Sequence, residues 1–247
     1  MMLHGHKLEE RDRNGQRNLF QQKLMEKYMW TLSYTRPIFY IDVGANKGLY
    51  TGIALENPST FHCLSIEANE KMGTLLKENI KKHYPNSMKS VDVISEGVYN
   101  ERKIMTFNVP NPEILQYDSH GHLINFTGIA TLGTNAEEVK KYMHRTPVKD
   151  EYEKIEIQCD TLDNIVEKRH PNKTVDAIKL DIEGGELCAL QGARKILERD
   201  KPLLLFECDS QHTIKFDYQP EELFSFVESF GYKVTQFTEN DFMAEAV

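Results

Sequence analysis

Two short stretches hold most of the residues able to do chemistry. In "FYIDVGANKGLYT" (39–51) an apolar run ends on Asp42, and Gly44 and Gly48 follow. In "VDAIKLDIEGGE" (175–186) Asp181, Glu183 and Glu186 fall within six residues. Glycine admits positive φ and close backbone approach, and a helix opening after Gly48 offers free N–H groups to electronegative atoms. The glycines stand one residue too close for a phosphate-cradling GxxxxGK[ST] loop, and no Lys-Ser/Thr follows. A dinucleotide fingerprint needs glycine where Asn46 stands. Both of those motifs bind phosphate, which an acid at the strand tip repels. The turn therefore suits a nucleoside that is cationic and carries no phosphate.

Glu67 ends a second apolar run, 19 residues after Gly48. Doubly wound nucleoside-binding sheets place a carboxylate there on the ribose hydroxyls. S-adenosylmethionine, with its sulfonium and amino groups, meets both requirements. The bland alternative is that Asp42 and Glu67 are two solvated strand ends. Ser95 and Glu96 close a third run where this architecture brings the adenine, and an ordinary strand-ending turn explains them equally well. Asp181 leads into the same edge as Asp42, whereas Glu186 also reads as an acid favoured by a helix dipole. Lys179, two residues before Asp181 on one strand face, is expected to pair with it. Glu207 and His212 lie at or just beyond the next strand tip. Asp118, His120 and His122 in "DSHGH" have no evident fourth ligand, so a polar loop is expected there and no metal site.

Those residues need a scaffold, and the sequence supplies one. With 247 residues, 40% hydrophobic and 10% aromatic, the chain can bury a sizeable core. A formal charge of −8 disfavours a broad grip on nucleic-acid phosphates. The cysteines at 63, 159, 188 and 208 have no zinc spacing and read as buried thiols in a reducing compartment. No secretory leader and no membrane-spanning run are evident, so a cytoplasmic location is expected. Residues 1–37 read as a polar segment followed by an amphipathic covering helix through Phe20, Leu24, Tyr28 and Leu32.

From residue 38 strands alternate with helices, which implies a mostly parallel, doubly wound α/β sheet. Strands are expected at 38–43, 61–67, 91–95, 103–109, 154–159, 175–181 and 202–208, with "EGVYNER" (96–102) as a turn. One helix is expected to carry Leu187, Leu190, Ala193, Ile196 and Leu197. Thr161 should cap another, and Gly231 should end the last. "YKVTQF" and "DFMAEAV" should form an antiparallel pair at the sheet edge. The irregular stretch at about 110–153 interrupts this rhythm and has the look of a substrate loop inserted into a single domain spanning 38–247.

The chain resembles the FkbM-type family of S-adenosylmethionine-dependent methyltransferases. The resemblance rests on "FYIDVGANKGLYT", "SIEANEKMGTLLKENI", "IQCDTLDNIV", "VDAIKLDIEGGELCALQGARKIL" and "KPLLLFEC", in that order over about 38–208. It implies a Rossmann-like class I methyltransferase fold and bound S-adenosyl-L-methionine. The expected cofactor contacts are Asp42, Gly44, Asn46, Gly48, Glu67, Ser95, Glu96 and Asp181. It further implies O-methylation of a sugar or other small-molecule hydroxyl, with Asp181 and Glu183 as the catalytic candidates. The expected partner is a small molecule or glycan, with no DNA and no membrane. A catalytically silent cofactor-binding module and an RNA methyltransferase are the rival readings. A nicotinamide oxidoreductase lacks its third glycine.

Overall fold

The computed structural model describes residues 37–57, 59–110, 131–132 and 152–247. The covering helix expected near residues 19–32, the "DSHGH" run and most of the 110–153 insertion lie outside the described residues. Strand β1 (Ile38–Val43) is buried at every position, as an unbroken apolar run requires of a strand covered on both faces. It is an inner strand of a seven-stranded sheet and the middle one of that sheet's five parallel strands. On one side lie β2 (Thr60–Ile66) and β3 (Val91–Ile94). On the other lie β8 (Ala177–Leu180) and β9 (Leu203–Glu207), and all five strands run parallel. Strands β10 (Tyr232–Gln236) and β11 (Asp241–Ala246) form the expected antiparallel pair, with β11 lying between β9 and β10.

Helices join the parallel strands. Helix α1 (Leu49–Glu56) follows the glycine turn, and α2 (Glu70–His83) is capped by Asn69, whose side chain accepts from the Lys71 N–H. Thr161 caps α3 (Leu162–Arg169) as expected, accepting from Asn164 N at 3.2 Å. The single helix expected after β8 is two, α4 (Glu186–Gln191) and α5 (Arg194–Arg199). Gly192 separates them, and a Cβ there would lie 2.2 Å from the Tyr99 carbonyl oxygen. The break admits a loop that a straight helix would exclude. Beyond β9 come α6 (Ser210–Thr213) and α7 (Pro220–Ser229), and Gly231 at φ +77° ends the latter.

A second sheet goes beyond the sequence expectation. It orders β4 (Gly97–Val98), β7 (Tyr152–Asp160), β5 (Lys103–Pro110) and β6 (Thr131–Leu132). Strands β5 and β7 pair antiparallel from Lys103–Cys159 to Pro110–Tyr152. The expected turn at 96–102 holds β4, which pairs in parallel with β7 through Gly97–Cys159 and Val98–Asp160. Val98 is buried, and a Cβ at Gly97 would lie 2.5 Å from Cys159 Sγ, so only glycine lets these strands meet so closely.

The main core lies on one face of the large sheet, where Phe39, Ile41, Val43, Leu64, Ile178 and Leu204 are buried together. On the opposite face a smaller cluster of Tyr40, Ile53, Cys63 and Leu205 packs under α1. All four cysteines are free and buried.

Candidate active site

Strand register builds the site. Ile94, Ile66, Val43, Leu180 and Phe206 are paired across β3, β2, β1, β8 and β9 in one row. The next residue on each strand forms the rim: Ser95, Glu67, Gly44, Asp181 and Glu207. Strand order reverses around β1, since β2 and β3 lie to one side and the later β8 and β9 to the other. Ligands of open α/β sheets bind outside the carboxyl ends of the strands at such a switch. From Ser95 to Asp181 is three strand spacings, about 14 Å.

The glycine turn lies in the middle of that rim. Gly44 (φ +78°), Asn46 (φ +48°) and Gly48 (φ +94°) all occupy the left-handed region. A Cβ on Gly44 would lie 2.0 Å from the Asp181 carbonyl oxygen, and one on Gly48 would lie 2.3 Å from Leu76 Cδ1. Each glycine is thus required twice, by its φ and by its neighbour. Glu67 staples the turn to β2: Oε2 accepts from Asn46 N and Oε1 from Asn69 N, both at 2.9 Å. Burial raises the Glu67 carboxyl above its usual range despite those two donors.

Asp42 lies one row deeper and is wholly buried. Its Oδ2 accepts from the Thr51 hydroxyl on α1 at 2.7 Å, and Thr51 also bonds Ser65 at 2.8 Å. Its Oδ1 is buried with no hydrogen-bond partner among the described residues. Burial raises the Asp42 carboxyl, and Lys179 and Thr51 offset part of that rise. Asp42 is therefore an internal acid with one open oxygen, whereas the sequence suggests a charge standing on the rim itself.

Lys179 is the cross-strand partner of Asp42, and its Nζ donates to Asp181 Oδ2 at 2.9 Å. The same ammonium lies 4.4 Å from the centre of the Tyr50 ring. Burial by itself would depress the lysine, but Asp181 and Asp42 together raise it, so it stays charged. Burial would raise Asp181, and Lys179 outweighs it with help from a hydrogen bond to Glu207, holding the carboxyl below its usual range. Glu207 is pushed up to about 10, first by burial and then by the Asp181 charge, so it is protonated and donates to Asp181.

Beyond Asp181 the chain turns sharply. Glu183 takes φ +58° and Gly184 φ +105°. Glu183 Oε2 lies 3.1 Å from His212 Nδ1. Glu186 is buried at the start of α4, where Oε1 accepts from Ile182 N at 2.8 Å, and burial pushes it up to about 7. Among the described residues no group of three His, Cys, Asp or Glu side chains converges on a metal-binding point. At the other end of the rim, Ser95 lines a cavity of about 420 Å³ together with Asn69, Lys71, Val109, Ile155 and Ile157. The cavity lies between the tips of β2 and β3 and the second sheet. Neither Asp42 nor Asp181 lines it, so this cavity of mixed polar and apolar lining and the Asp42–Lys179–Asp181 cluster occupy different parts of a single rim.

Comparison with known proteins gives the family and the fold. A family model described as the methyltransferase FkbM domain matches residues 42–234, which is more than half of the chain. The chain belongs to that family. A search of curated proteins returns no match. Among solved structures, an FkbM methyltransferase from Methylobacillus flagellatus KT is 16% identical with a TM-score of 0.51, covering 84% of this chain and 43% of its own. An O-methyltransferase from Bacillus cereus in complex with SAH is 11% identical with a TM-score of 0.50, covering 99% of this chain and 84% of its own. A SAM-dependent O-methyltransferase from Thermotoga maritima is 10% identical with a TM-score of 0.46, and its alignment covers 91% of this chain. The present chain spans 43% of the first of these proteins and 65% of the Thermotoga one. At these identities the likeness is one of fold, and the fold is that of class I methyltransferases, a mostly parallel sheet with an antiparallel edge.

In this FkbM chain the rim gathers Gly44, Glu67, Ser95 and Asp181 from the expected set, with Asn46 held to Glu67 and Asp42 one row beneath. Glu96 points elsewhere, its Oε1 lying 3.3 Å from Arg169 Nη2. Glu183 stands past the rim against His212 rather than beside Lys179. Thr51 gives no sequence signal, because a threonine inside an apolar helix usually reads as filler. The depth of Lys179 is equally hidden, although its place two residues before Asp181 suggests their pairing.

Proposed function

We propose that the protein transfers a methyl group from S-adenosyl-L-methionine to a hydroxyl of a sugar or other small molecule. The observation that carries this reading is Asp42 Oδ1, a buried oxygen with an unused lone pair directly beneath a glycine turn that no phosphate motif explains. A buried carboxylate oxygen left unpaired costs free energy that a cationic donor returns.

The residues fit that cofactor. Ser95 and the cavity beside it would take the adenine, Glu67 the ribose hydroxyls, and Asp42 with Asp181 the cationic amino-acid end. Bound there, S-adenosylmethionine supplies an electrophilic sulfonium methyl. The protein's part is alignment, which accounts for much of the acceleration of a displacement between two bound reactants. Lys179 and Glu207 fix the Asp181 carboxylate from two sides, and Asp181 with Glu183 then orient the acceptor hydroxyl. Val109 and Glu153, flanking the 110–153 insertion, line the same cavity, so the base of that insertion would border the adenine, and the insertion itself is our candidate for shaping the acceptor site. Free buried thiols fit a reducing, cytoplasmic setting. No helix among the described residues is long and apolar enough to cross a membrane.

Isothermal titration tests the cofactor assignment. The wild-type protein should bind S-adenosylmethionine, and Asp42→Asn should lose at least tenfold in affinity while keeping its thermal stability. NADH, whose pyrophosphate meets the same acids, should leave the melting temperature unchanged. Unaltered affinity in Asp42→Asn, or stabilisation by NADH alone, would refute the reading.

A further inference from the structure

We infer that Tyr50 is a positioning residue of the donor site: its ring holds the Lys179 ammonium on Asp181 and so keeps the buried Asp42 oxygen open for the donor's positive charge. The inference rests on the S-adenosylmethionine reading above and adds to it the residue that leaves one oxygen unpaired.

That open oxygen needs a cause. Asp42 Oδ1 is buried with no hydrogen-bond partner among the described residues. Yet Lys179 is the direct cross-strand neighbour of Asp42, and it too is buried. A buried ammonium beside a buried carboxyl gains by closing on it, since water can answer neither charge. Here it does not close. Nζ donates to Asp181 Oδ2 at 2.9 Å, and among the described residues Asp181 is its one ion-pair partner. Asp181 is the more exposed of the two carboxyls, so solvation alone would send the lysine to Asp42. A further contact has to tilt the choice.

The Tyr50 ring supplies that contact. Tyr50 is the second residue of α1, half-buried, and its ring centre lies 4.4 Å from Nζ. An ammonium over an aromatic face is attracted by it, most strongly where the pair is desolvated. The ring is held in turn by packing against the cluster of Tyr40, Ile53 and Leu205. Its helix is fixed at the entry by Gly48, at φ +94° and against Leu76.

The next residue, Thr51, donates to Asp42 Oδ2 at 2.7 Å and bonds Ser65 at 2.8 Å. Consecutive residues of one helical turn thus divide the work. Thr51 fills one oxygen of Asp42, and Tyr50 holds away the cation that would fill the other. Without the ring, Nζ can turn across the strands to Oδ1. A cationic donor would then compete with an internal ammonium, which gives up no translational freedom to bind there. With the ring in place, the donor's ammonium meets an oxygen already desolvated and unpaired. Tyr50 acts on the donor only through Lys179.

Two readouts test this. The first needs no ligand. The ε-methylene protons of Lys179, identified by their loss in Lys179→Met, are followed by NMR in protein labelled on lysine. Over the ring they should resonate upfield of the other lysines. They should return toward those in Tyr50→Leu and stay upfield in Tyr50→Phe. A Lys179 signal that Tyr50→Leu leaves in place would overturn the inference. The second readout is titration calorimetry with S-adenosylmethionine. A buried cation–aromatic contact is worth about tenfold in an equilibrium constant, so Tyr50→Leu should bind the donor about tenfold more weakly. Tyr50→Phe keeps the ring and should bind within about twofold of the wild type. Made in Lys179→Met, the Tyr50→Leu replacement should change affinity by less than about twofold, because the residue it acts through is gone. A merely structural residue would lose affinity in both backgrounds. That result, or equal affinity in Tyr50→Leu and the wild type, would overturn the positioning role and leave the donor assignment standing. Absence of donor binding by the wild type would overturn both.

Discussion

Replacing Lys179 by methionine tests whether buried charge balance organises the rim. Methionine keeps the length and the apolar stem of lysine and removes only the ammonium. The lysine side chain is 8% exposed, whereas that of Asp181 is 39% exposed. Asp181 can therefore turn to water in the variant, and its loss is heavily screened. Asp42 cannot do so, being wholly buried with only Thr51 for hydrogen-bond support. Removing one partner of a fully buried pair costs roughly 3–5 kcal/mol. The exposure of Asp181 places this case at the low end, about 3 kcal/mol at pH 7.5. For a chain of this size that is a fall of roughly 6–12 °C in melting temperature.

The pH dependence distinguishes lost charge from lost packing. In Lys179→Met the folded-state pKa values of Asp42 and Asp181 both rise, that of Asp42 further above its unfolded value. A carboxyl raised in this way favours the folded state fully below its unfolded pKa, and that advantage disappears as pH rises through the folded one. The deficit should accordingly shrink by about 1–2 kcal/mol between pH 7.5 and pH 5, since a tenfold change in a proton's binding constant is worth about 1.4 kcal/mol. Urea unfolding followed by circular dichroism at both pH values measures it against the wild type. A deficit under about 0.5 kcal/mol, or one of equal size at both pH values, would refute the reasoning.

Gly44→Ala should lower stability by about 2–4 kcal/mol and abolish donor binding, because its Cβ meets the Asp181 carbonyl oxygen at a φ that L-residues resist; urea unfolding and titration calorimetry read the two effects. Thr51→Val removes the hydroxyl that donates to Asp42 and should cost about 1–3 kcal/mol in urea unfolding, with weaker donor binding as a second readout. Burial would raise Asp160, but the Lys168 ammonium at 2.6 Å, Asn164 and the Thr161 N–H hold it below its usual range. Asp160→Asn should therefore cost about 1–2 kcal/mol at pH 7, a deficit that closes as pH falls below about 4 and the wild-type carboxylate is protonated; unfolding curves across that range measure it.

What can be read from the sequence is what is contiguous along the chain. The six buried residues of β1, the glycines after it and the acids at strand tips each sit within one segment, so spacing alone predicts their places. The edge pair β10–β11 is legible for the same reason. The second sheet is not, because the partner of Lys103 is Cys159, and no local pattern encodes a pairing across that distance. Thr51 bonds Asp42 nine residues away on the next element, and its hydroxyl looks like one more helix position. The split between α4 and α5 depends on the Tyr99 carbonyl, which no helical periodicity can reveal. The approach of Glu183 to His212 is hidden in the same way: each stands out as acid and imidazole near strand tips, but their proximity depends on how α6 folds back over Gly184.

The position of Asp42 changes the reason for expecting the rim to refuse phosphate. A lone acid on the edge would repel an anion directly, yet solvent and salt would screen it within about 10 Å. Here two carboxyls, Asp42 and Asp181, face one ammonium, Lys179, which holds Asp181 below its usual range and only partly offsets the rise that burial imposes on Asp42. Asp42 lies in a row closed off from solvent, where screening is weak. A pyrophosphate placed over Gly44 would meet it unanswered by the nearest cation, because Lys179 is already committed to Asp181 and packed on Tyr50. A cation in the same place satisfies Asp42 Oδ1 and leaves the Lys179–Asp181 bond intact. On the proposed reading, selectivity in this site would come from a lysine that is present but engaged, and it should weaken toward anions in any variant that frees the Lys179 ammonium, such as Asp181→Asn.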